Sequence, residues 1–521
     1  MTTGAAVLRF THLGGDSFWI DEISVTALAR DPGFPASLVR RGGPFEPPLS
    51  FLAVRLATAL GTDGAFETAA RVPSAVGGTA EVLLLGLLGW ELTRSRRIAL
   101  VAATLLAVAP FALRLSQDAR YYSLFSALVL ASWWTATRAW RSPSWGRWCA
   151  WGVVVGVAQL THPFTPLVVA GQVVLGLVAG TRARRPRGWW RQPCAGLAVA
   201  IAVASPWYLY GAGRWWADRR SGRRLALNEP GLFDVRVDLD LARRTGEWLL
   251  GNAARLTPLV ATLAVAIAVG VLAGRGRPGT VARGAVALAV ATGLVLVPLA
   301  RAMGTYFAMR RVGFLLPPLL LAAAVGLEET GARLAHLHRR RARLLARLGV
   351  AAITTGVVLL SLRAVAGVYR SERTPYRAFA REVAAAPAGD VVVVGPVPGR
   401  WRPLIPRYLA WKGVSRPVRY LPTRASVAAR ERAVPTGSRR VTWLLPSAGE
   451  PAGLRARPLG DPGRAAVVAG DRSWGNVILP WYVARTAADP AIVTERRDRV
   501  ATLPPFVRLD APQRGAAVGR A

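Results

Sequence analysis

Two carboxylates stand side by side at Asp21 and Glu22, directly after Phe18-Trp19-Ile20, in a chain with only 29 acidic residues among 521. Adjacent carboxylates beside a membrane can take a proton from a substrate hydroxyl or hold a divalent cation. The plain alternative is a solvated loop pair, with Phe18 and Trp19 as interfacial anchors. A second polar spot, Ser116-Gln117-Asp118-Ala119-Arg120-Tyr121-Tyr122, lies between two apolar runs. Charges such as Asp118 and Arg120 at a membrane boundary are costly unless paired or functional. Their alternative is a local ion pair that ends a helix, and Tyr121 and Tyr122 have an aromatic-belt alternative. His162, in Thr161-His162-Pro163, is either a ligand-facing group or a capped helix end. Arg310 and Arg311 precede another apolar run and can grip a phosphate bidentately, or serve as ordinary interfacial arginines.

The elements that must position these groups are membrane helices. Hydrophobic residues make up 52% of the chain and mean hydropathy is +0.30. Crossing a bilayer takes about 20 apolar residues, and runs of that kind are expected at 72–92, 98–114, 120–139, 148–161, 164–180, 194–210, 254–273, 281–300, 312–328 and 347–368. Before them, residues 1–71 read as an outer acidic loop ending in an amphipathic helix from Pro48 to about Leu60 that suits the interface. Residues 1–17 lack the apolar core of a cleavable signal peptide.

The formal charge of +38 comes almost wholly from arginine, Lys412 being the only lysine. These arginines punctuate apolar runs and line no single amphipathic face, which argues against nucleic acid as the partner. They mark alternate loops: Arg94/Arg96/Arg97, Arg138/Arg141/Arg147, Arg182/Arg184/Arg185/Arg187/Arg191, Arg275/Arg277/Arg283, and Arg333/Arg339/Arg340/Arg341/Arg343/Arg347. By the positive-inside rule these loops face the cytoplasm. The intervening segments, including a long loop at 211–253, then face outward, and so do Asp21, Glu22, Glu46, Asp118, Arg120, His162, Arg310 and Arg311. From residue 369 the pattern changes to a helix (Tyr376 to Ala385) and strand signals at 390–394, 441–445 and 477–479. This predicts a soluble α/β domain over 369–521 on the outer face. The fold class expected is thus a mainly α polytopic membrane protein of about ten transmembrane helices with a C-terminal extracytoplasmic α/β domain.

Cys149 and Cys194 fit neither a zinc site nor a disulfide framework and read as packing residues. No Walker A or dinucleotide fingerprint appears in a strand–loop–helix context, which disfavours a nucleotide-driven pump. The weaker signals converge on an enzyme acting beside lipid on an anionic, lipid-linked substrate.

Leu13-Gly14-Gly15-Asp16-Ser17-Phe18-Trp19-Ile20-Asp21-Glu22 resembles the first outer loop of GT-C superfamily glycosyltransferases, in the branch of protein O-mannosyltransferases and aminoarabinose transferases. Glu46-Pro47-Pro48-Leu49 is similar to that branch's His-Pro-Pro-Leu, with Glu46 where histidine is usual. Arg71-Val72-Pro73-Ser74-Ala75 is similar to its Arg-Leu-Pro-Ser-Ala. Ser116 to Tyr122 resembles its Ser-Gln-Glu-Ala-Arg-Met-Tyr. Arg311 with Phe314-Leu315-Leu316-Pro317-Pro318 resembles its late Arg-Tyr…Leu-Pro-Pro signature. The matches run in order from residue 13 to about residue 328. Family members usually begin with a transmembrane helix ahead of the acidic loop, and none is visible here.

The resemblance implies an inverting transferase that moves a mannose- or arabinose-like sugar from a polyprenyl-phosphate donor to a glycan, lipid or protein acceptor outside the cell membrane. Asp21 would be the general base, with Glu22 and Asp118 positioning groups. A divalent cation such as Mg²⁺ or Mn²⁺, where the reaction uses one, would fall to Asp21, Glu22 and Asp118. Arg120 and Arg311 would offset charge on the leaving phosphate, and Glu46, Tyr121, His162 and Arg310 complete the substrate-binding set. Two rival readings are a transporter or lipid flippase, for which inverted repeats and mid-span charges are expected and absent, and a non-catalytic partner in polysaccharide assembly.

Overall fold

The computed structural model describes residues 1–43, 46–61, 65–180, 188–220, 257–302, 309–335, 340–370, 376–385, 391–394, 403–420, 440–446 and 481–487. In chain order its first helices are α1 (Thr2–Phe10), α2 (Ile20–Ala29), α3 (Ala36–Gly42), α4 (Leu49–Leu60), α5 (Phe66–Thr93), α6 (Arg96–Val108), α7 (Pro110–Ser116) and α8 (Tyr122–Arg141). There follow α9 (Trp145–Gln159), α10 (Thr165–Gly180), α11 (Arg191–Arg220), α12 (Thr257–Leu272), α13 (Gly276–Ala302), the 3-10 turn Met309–Leu315, α14 (Leu316–Ala335) and α15 (Arg340–Arg370). The chain divides into two compact units. One holds Met1–Gly14, Leu28–Pro230 and Val237–Tyr369, the other Gly15–Ala27, Gly231–Arg236 and Arg370–Ala521.

Each apolar run in the sequence lies on a helix of the first unit, which is that of a multi-pass membrane protein. The number of spans is smaller than expected. Among the described residues, 5 helices are long and apolar enough to cross a bilayer, or 6 if the bent pair α6/α7 is one span. For three of the expected spans the reason is length: α9, α10 and α12 have 15, 16 and 16 residues, against the roughly 20 a bilayer needs. α8 has 20 residues, but its serines, threonines, tryptophans and arginines leave it less apolar than the five. The stretch expected as an outer loop is also largely helical, carrying α1 to α4. In the region expected as loop 211–253, α11 continues to Arg220 and the remainder lies outside the described residues, as does the strand signal at 477–479.

Small residues let the helices touch backbone to backbone. On α9, Gly152 and Gly156 are four apart and face Gly196 and Ala200 of α11; a Cβ on Gly152 would lie 2.1 Å from the Gly196 carbonyl oxygen. On α12 and α14, Ala266 and Gly270 face Gly326 and Ala322 in the same manner, with 1.8 Å from a Cβ on Gly326 to the Ala266 carbonyl. Lipid gives helices no hydrophobic reason to associate, so close van der Waals approach of this kind is what drives packing.

The site-bearing turn at 117–121 is delivered by a broken helix. α6 starts on Ser95, whose hydroxyl accepts from the Ile98 N–H at 3.3 Å, the usual N-cap device. It stops at Ala109, which is extended (φ −64°, ψ 117°), and Pro110 then opens α7 at a bend of 62°. Proline has no N–H for the carbonyl four residues back, so Leu106 loses its helical partner. Arg9, fully buried on α1, donates to the carbonyls of Leu106 (3.3 Å) and Ala107 (3.2 Å). Beyond the break, Gln117 Nε2 donates to the Thr11 carbonyl at 2.9 Å, and Ser123 Oγ to that of Leu115 at 2.9 Å.

The second unit adds α16 (Tyr376–Ala385) and α17 (Leu404–Trp411), with strands β1 (Val391–Val394), β2 (Val418–Tyr420), β3 (Arg440–Pro446) and β4 (Trp481–Ala487) in the order β2-β1-β3-β4. β1 runs parallel to β2 and β3, and β4 is antiparallel to β3. An all-valine strand paired on both edges is the pattern of a central parallel strand, and β1–α17–β2 is a parallel crossover. α16 buries Tyr376, Phe379, Ala380 and Val383, the spacing of one helical stripe, and the Tyr376 and Tyr408 rings meet at 5.9 Å.

Candidate functional site

In the first unit the chain gathers most of the polar residues singled out in the sequence. Arg120 sits at the end of the 117–121 turn, its carbonyl accepting from Ser74 Oγ at 2.7 Å. Its guanidinium carbon lies 5.0 Å from the Tyr121 ring centre and 5.7 Å from that of Tyr122, within cation–π range. The two tyrosine rings meet edge to face at 4.6 Å. Arg310, buried in the 3-10 turn, donates its Nε–H to Tyr122 Oη at 2.9 Å.

His162 occupies the turn between α9 and α10. It is 2% exposed, stacked on Phe125 at 4.6 Å and edge-on to Tyr121 at 4.7 Å and Phe164 at 4.5 Å. Its Nδ1 accepts from the Phe164 N–H at 3.1 Å, which assigns the imidazole proton to Nε2. Burial, then Arg311 and Arg120, hold its pKa well below the ordinary histidine value, so the ring is a neutral donor at pH 7. The chemistry available to it is therefore hydrogen bonding through Nε2 and not charge.

Glu46 enters from the segment ahead of α4. Its carbonyl accepts from Trp207 Nε1 at 2.9 Å, and the nearby Leu49 N–H donates to the Leu160 carbonyl at 2.9 Å, tying this segment to α11 and to the His162 turn. The carboxyl is half-buried, and burial raises its pKa even though Arg120 and Arg311 both pull it down. Tyr121 Oη is likewise raised, first by burial and then by Tyr122. The same pair of charges thus acts on Glu46, Tyr121 and His162: two arginines grouped with one carboxyl, a phenol and a neutral imidazole. Such a set suits an anion carrying hydroxyl groups, since planar guanidinium forks match phosphate oxygens.

Asp118 is fully buried in the same turn, its backbone carbonyl accepting from the Arg120 N–H at 2.7 Å. Asp21 and Glu22 belong to the second unit, where they occupy the first turn of α2 rather than a loop. Glu22 is fully buried and its Oε2 accepts from the Trp19 N–H at 3.3 Å. That is the return half of a capping box, with the carboxylate also complementing the helix dipole. Asp21, one position earlier, is half-exposed. Among the described residues, no three His, Cys, Asp or Glu side chains are grouped as a metal ion requires.

The sequence reading missed Arg9, Trp207 and Phe164. Arg9 and Trp207 carry no local signal, because each acts on a carbonyl far away in sequence. Phe164, two residues beyond His162, could have been flagged as the N–H that such a histidine accepts from.

Residues 45–210 match the family model described as dolichyl-phosphate-mannose-protein mannosyltransferase. That range contains Glu46, Asp118, Arg120, Tyr121 and His162. Two solved structures share the fold. ArnT from Cupriavidus metallidurans bound to undecaprenyl phosphate is 16% identical with a TM-score of 0.51, over 93% of this chain and 97% of that one. The same enzyme in the apo state is 16% identical with a TM-score of 0.52, over 97% of each chain. No curated protein matches the chain in sequence. The resemblance to the GT-C superfamily is thereby borne out.

Proposed function

From a chain that carries the GT-C fold, we propose an integral-membrane glycosyltransferase that moves a sugar from a polyprenyl-phosphate donor to an acceptor hydroxyl outside the cell. The observation that carries this reading is the convergence of Arg120 and Arg311 on Glu46, Tyr121 and His162 beside apolar helices. The bound undecaprenyl phosphate of the ArnT structure supports the same donor chemistry.

In the proposed reaction the acceptor oxygen attacks the anomeric carbon from the face opposite the phosphate. The new glycosidic bond forms as the bond from that carbon to the phosphate oxygen breaks, and the configuration inverts. Asp21 takes the proton of the acceptor hydroxyl. Polyprenyl phosphate leaves with the bonding electron pair, and Arg120 and Arg311 offset the charge that develops on it. Arg310 and Tyr122 hold the phosphate side of the site, while Glu46 and the Nε2–H of His162 address sugar hydroxyls. Glu22 holds the start of α2, and Asp118 positions groups from the 117–121 turn. In this reading the sugar is mannose- or arabinose-like, and the second unit is an extracytoplasmic α/β domain.

The test is turnover of radiolabelled polyprenyl-phosphate mannose or arabinose by membranes expressing the chain, beside Asp21→Asn and Arg120→Ala. Donor consumption by the parent and its loss in Asp21→Asn is the expected result. Equal turnover by Asp21→Asn would transfer the role of base to another residue, Asp118 first. Absence of turnover with every lipid-linked sugar would favour a transporter or a non-catalytic assembly partner.

A further inference from the structure

The segment that bears Asp21 is near the N-terminus, yet it clusters with the C-terminal part of the chain. Gly15–Ala27 and Arg370–Ala521 form one compact unit. The link is specific. Arg377, on the first turn of α16, donates Nη1–H to the Gly15 carbonyl and Nη2–H to the Asp16 carbonyl, each at 2.9 Å. A planar fork that bridges two successive carbonyls fixes their peptide plane as well as their position. Downstream of the fork, Ser17, Phe18, Trp19, Glu22 and Ile23 are all buried, and Glu22 closes the start of α2 on the Trp19 N–H. Only Ser17 and Phe18 separate the second carbonyl from Trp19, the residue ahead of the helix that carries Asp21 and Glu22. Below the fork, α16 is anchored by Phe379 and Val383, both fully buried.

We propose that the C-terminal unit is the positioning element for the acid-bearing segment, and that Arg377 is the residue through which it acts. The C-terminal region is then part of the reaction machinery and not an appended module. The inference rests on reading Asp21 as the residue that takes the acceptor's proton. Arg377 touches neither substrate nor reacting atoms; it sets where Asp21 stands.

The experiment uses the full-length protein in lipid nanodiscs, with Arg377→Ala and Arg377→Lys beside the parent. The first readout is amide hydrogen exchange over residues 15–27. Loss of two charge-assisted bonds on one short segment is expected to raise its exchange by about tenfold or more, with α5 unchanged. The second readout is donor turnover. Arg377→Ala is expected to lower kcat by about tenfold while donor KM stays within about twofold, because a 1 Å displacement of a reacting group is enough for a loss of that size. The lysine variant keeps the charge without the fork and restores part of kcat. Unchanged exchange at 15–27 overturns the proposal whatever the turnover does, and so does an effect confined to KM. If the parent turns over no lipid-linked sugar, the proposed function falls, and the exchange readout alone decides whether Arg377 positions the segment. Should Arg377→Ala fail to fold, Arg377→Lys carries both readouts.

Discussion

A single methyl group tests whether the membrane helices meet as described. In Gly326→Ala the new Cβ would stand 1.8 Å from the carbonyl oxygen of Ala266, 2.8 Å from its carbonyl carbon and 2.9 Å from the Gly270 amide nitrogen. All three obstacles are backbone atoms, which cannot rotate away as a side chain can. Real Cβ atoms essentially never come under 3.0 Å, so α12 and α14 must part where Ala266 and Gly270 meet Ala322 and Gly326. Overpacking of that kind costs about 1–3 kcal/mol, occasionally more, and here the loss of neighbouring contacts places it at or above the upper end. The matched control lies on the same helix. At Gly331 a Cβ would meet only the methyls of Val350, at 3.8 and 3.9 Å, so Gly331→Ala keeps ordinary contact and gains helix propensity of about 0.5–1 kcal/mol. The same substitution is thus expected to destabilise at one position and stabilise at the other. Reversible unfolding in mixed micelles, with parent and both variants in parallel, reads the sign directly. Equal stabilities for the two variants would refute the backbone contact between these helices.

Arg9 carries a second expectation. Arg9→Met leaves the Leu106 and Ala107 carbonyls and the nearby Glu81 without its guanidinium, and loss of one partner of a buried charge set costs about 3–5 kcal/mol. The double variant Arg9→Met with Glu81→Leu is expected to recover much of that in the same unfolding assay, and strict additivity would refute the coupling. A third concerns pH. His162 has a folded pKa well below its ordinary 6.5, so the fold excludes a proton that the unfolded chain accepts. Its contribution is therefore complete above pH 6.5 and is lost as pH falls toward the folded value, at no more than about 1.4 kcal/mol per pH unit. Glu46 runs the other way: its raised carboxyl gives stability that is complete below its ordinary 4.5 and is lost as pH rises through the folded value. His162→Asn, which keeps an acceptor for the Phe164 N–H, is expected to flatten the decline in Tm between pH 6.5 and 5.5. A decline as steep as the parent's would show that another group is responsible.

The helices were legible because apolar runs and arginine-rich breaks are local signals. Arg120, Tyr121, His162 and the 310–311 pair could be placed together because alternation across a bilayer brings alternate loops to one side. What escaped the sequence depends on partners far along the chain or on short-range geometry hidden in an apolar run. The residues 98–114 read as one continuous span, since nothing but Pro110 marks the break. Helices α1 to α3 are too short and too mixed in polarity to register as spans, so their stretch read as a loop. Glu22 looked like chemistry from its type and neighbour, and its hydrogen bond to the Trp19 N–H makes it a helix cap. That Gly15–Ala27 belongs with the C-terminal unit is a tertiary fact, carried by carbonyls that bear no residue identity at all.

The break at Ala109 turns α7 into a short lever. Its 7 residues extend roughly 10 Å at about 1.5 Å per residue. Inclined at 62° to α6, that length is spent mostly sideways, setting the 117–121 turn roughly 9 Å off the axis of the helix that leads to it. A change of about 10° at the fulcrum would swing the far end by roughly 2 Å, several times the tolerance of about 0.5 Å within which a working site must be held. Arg9 sits at the fulcrum, so the aim of Arg120 and Tyr121 is set by a residue at the opposite end of the arm.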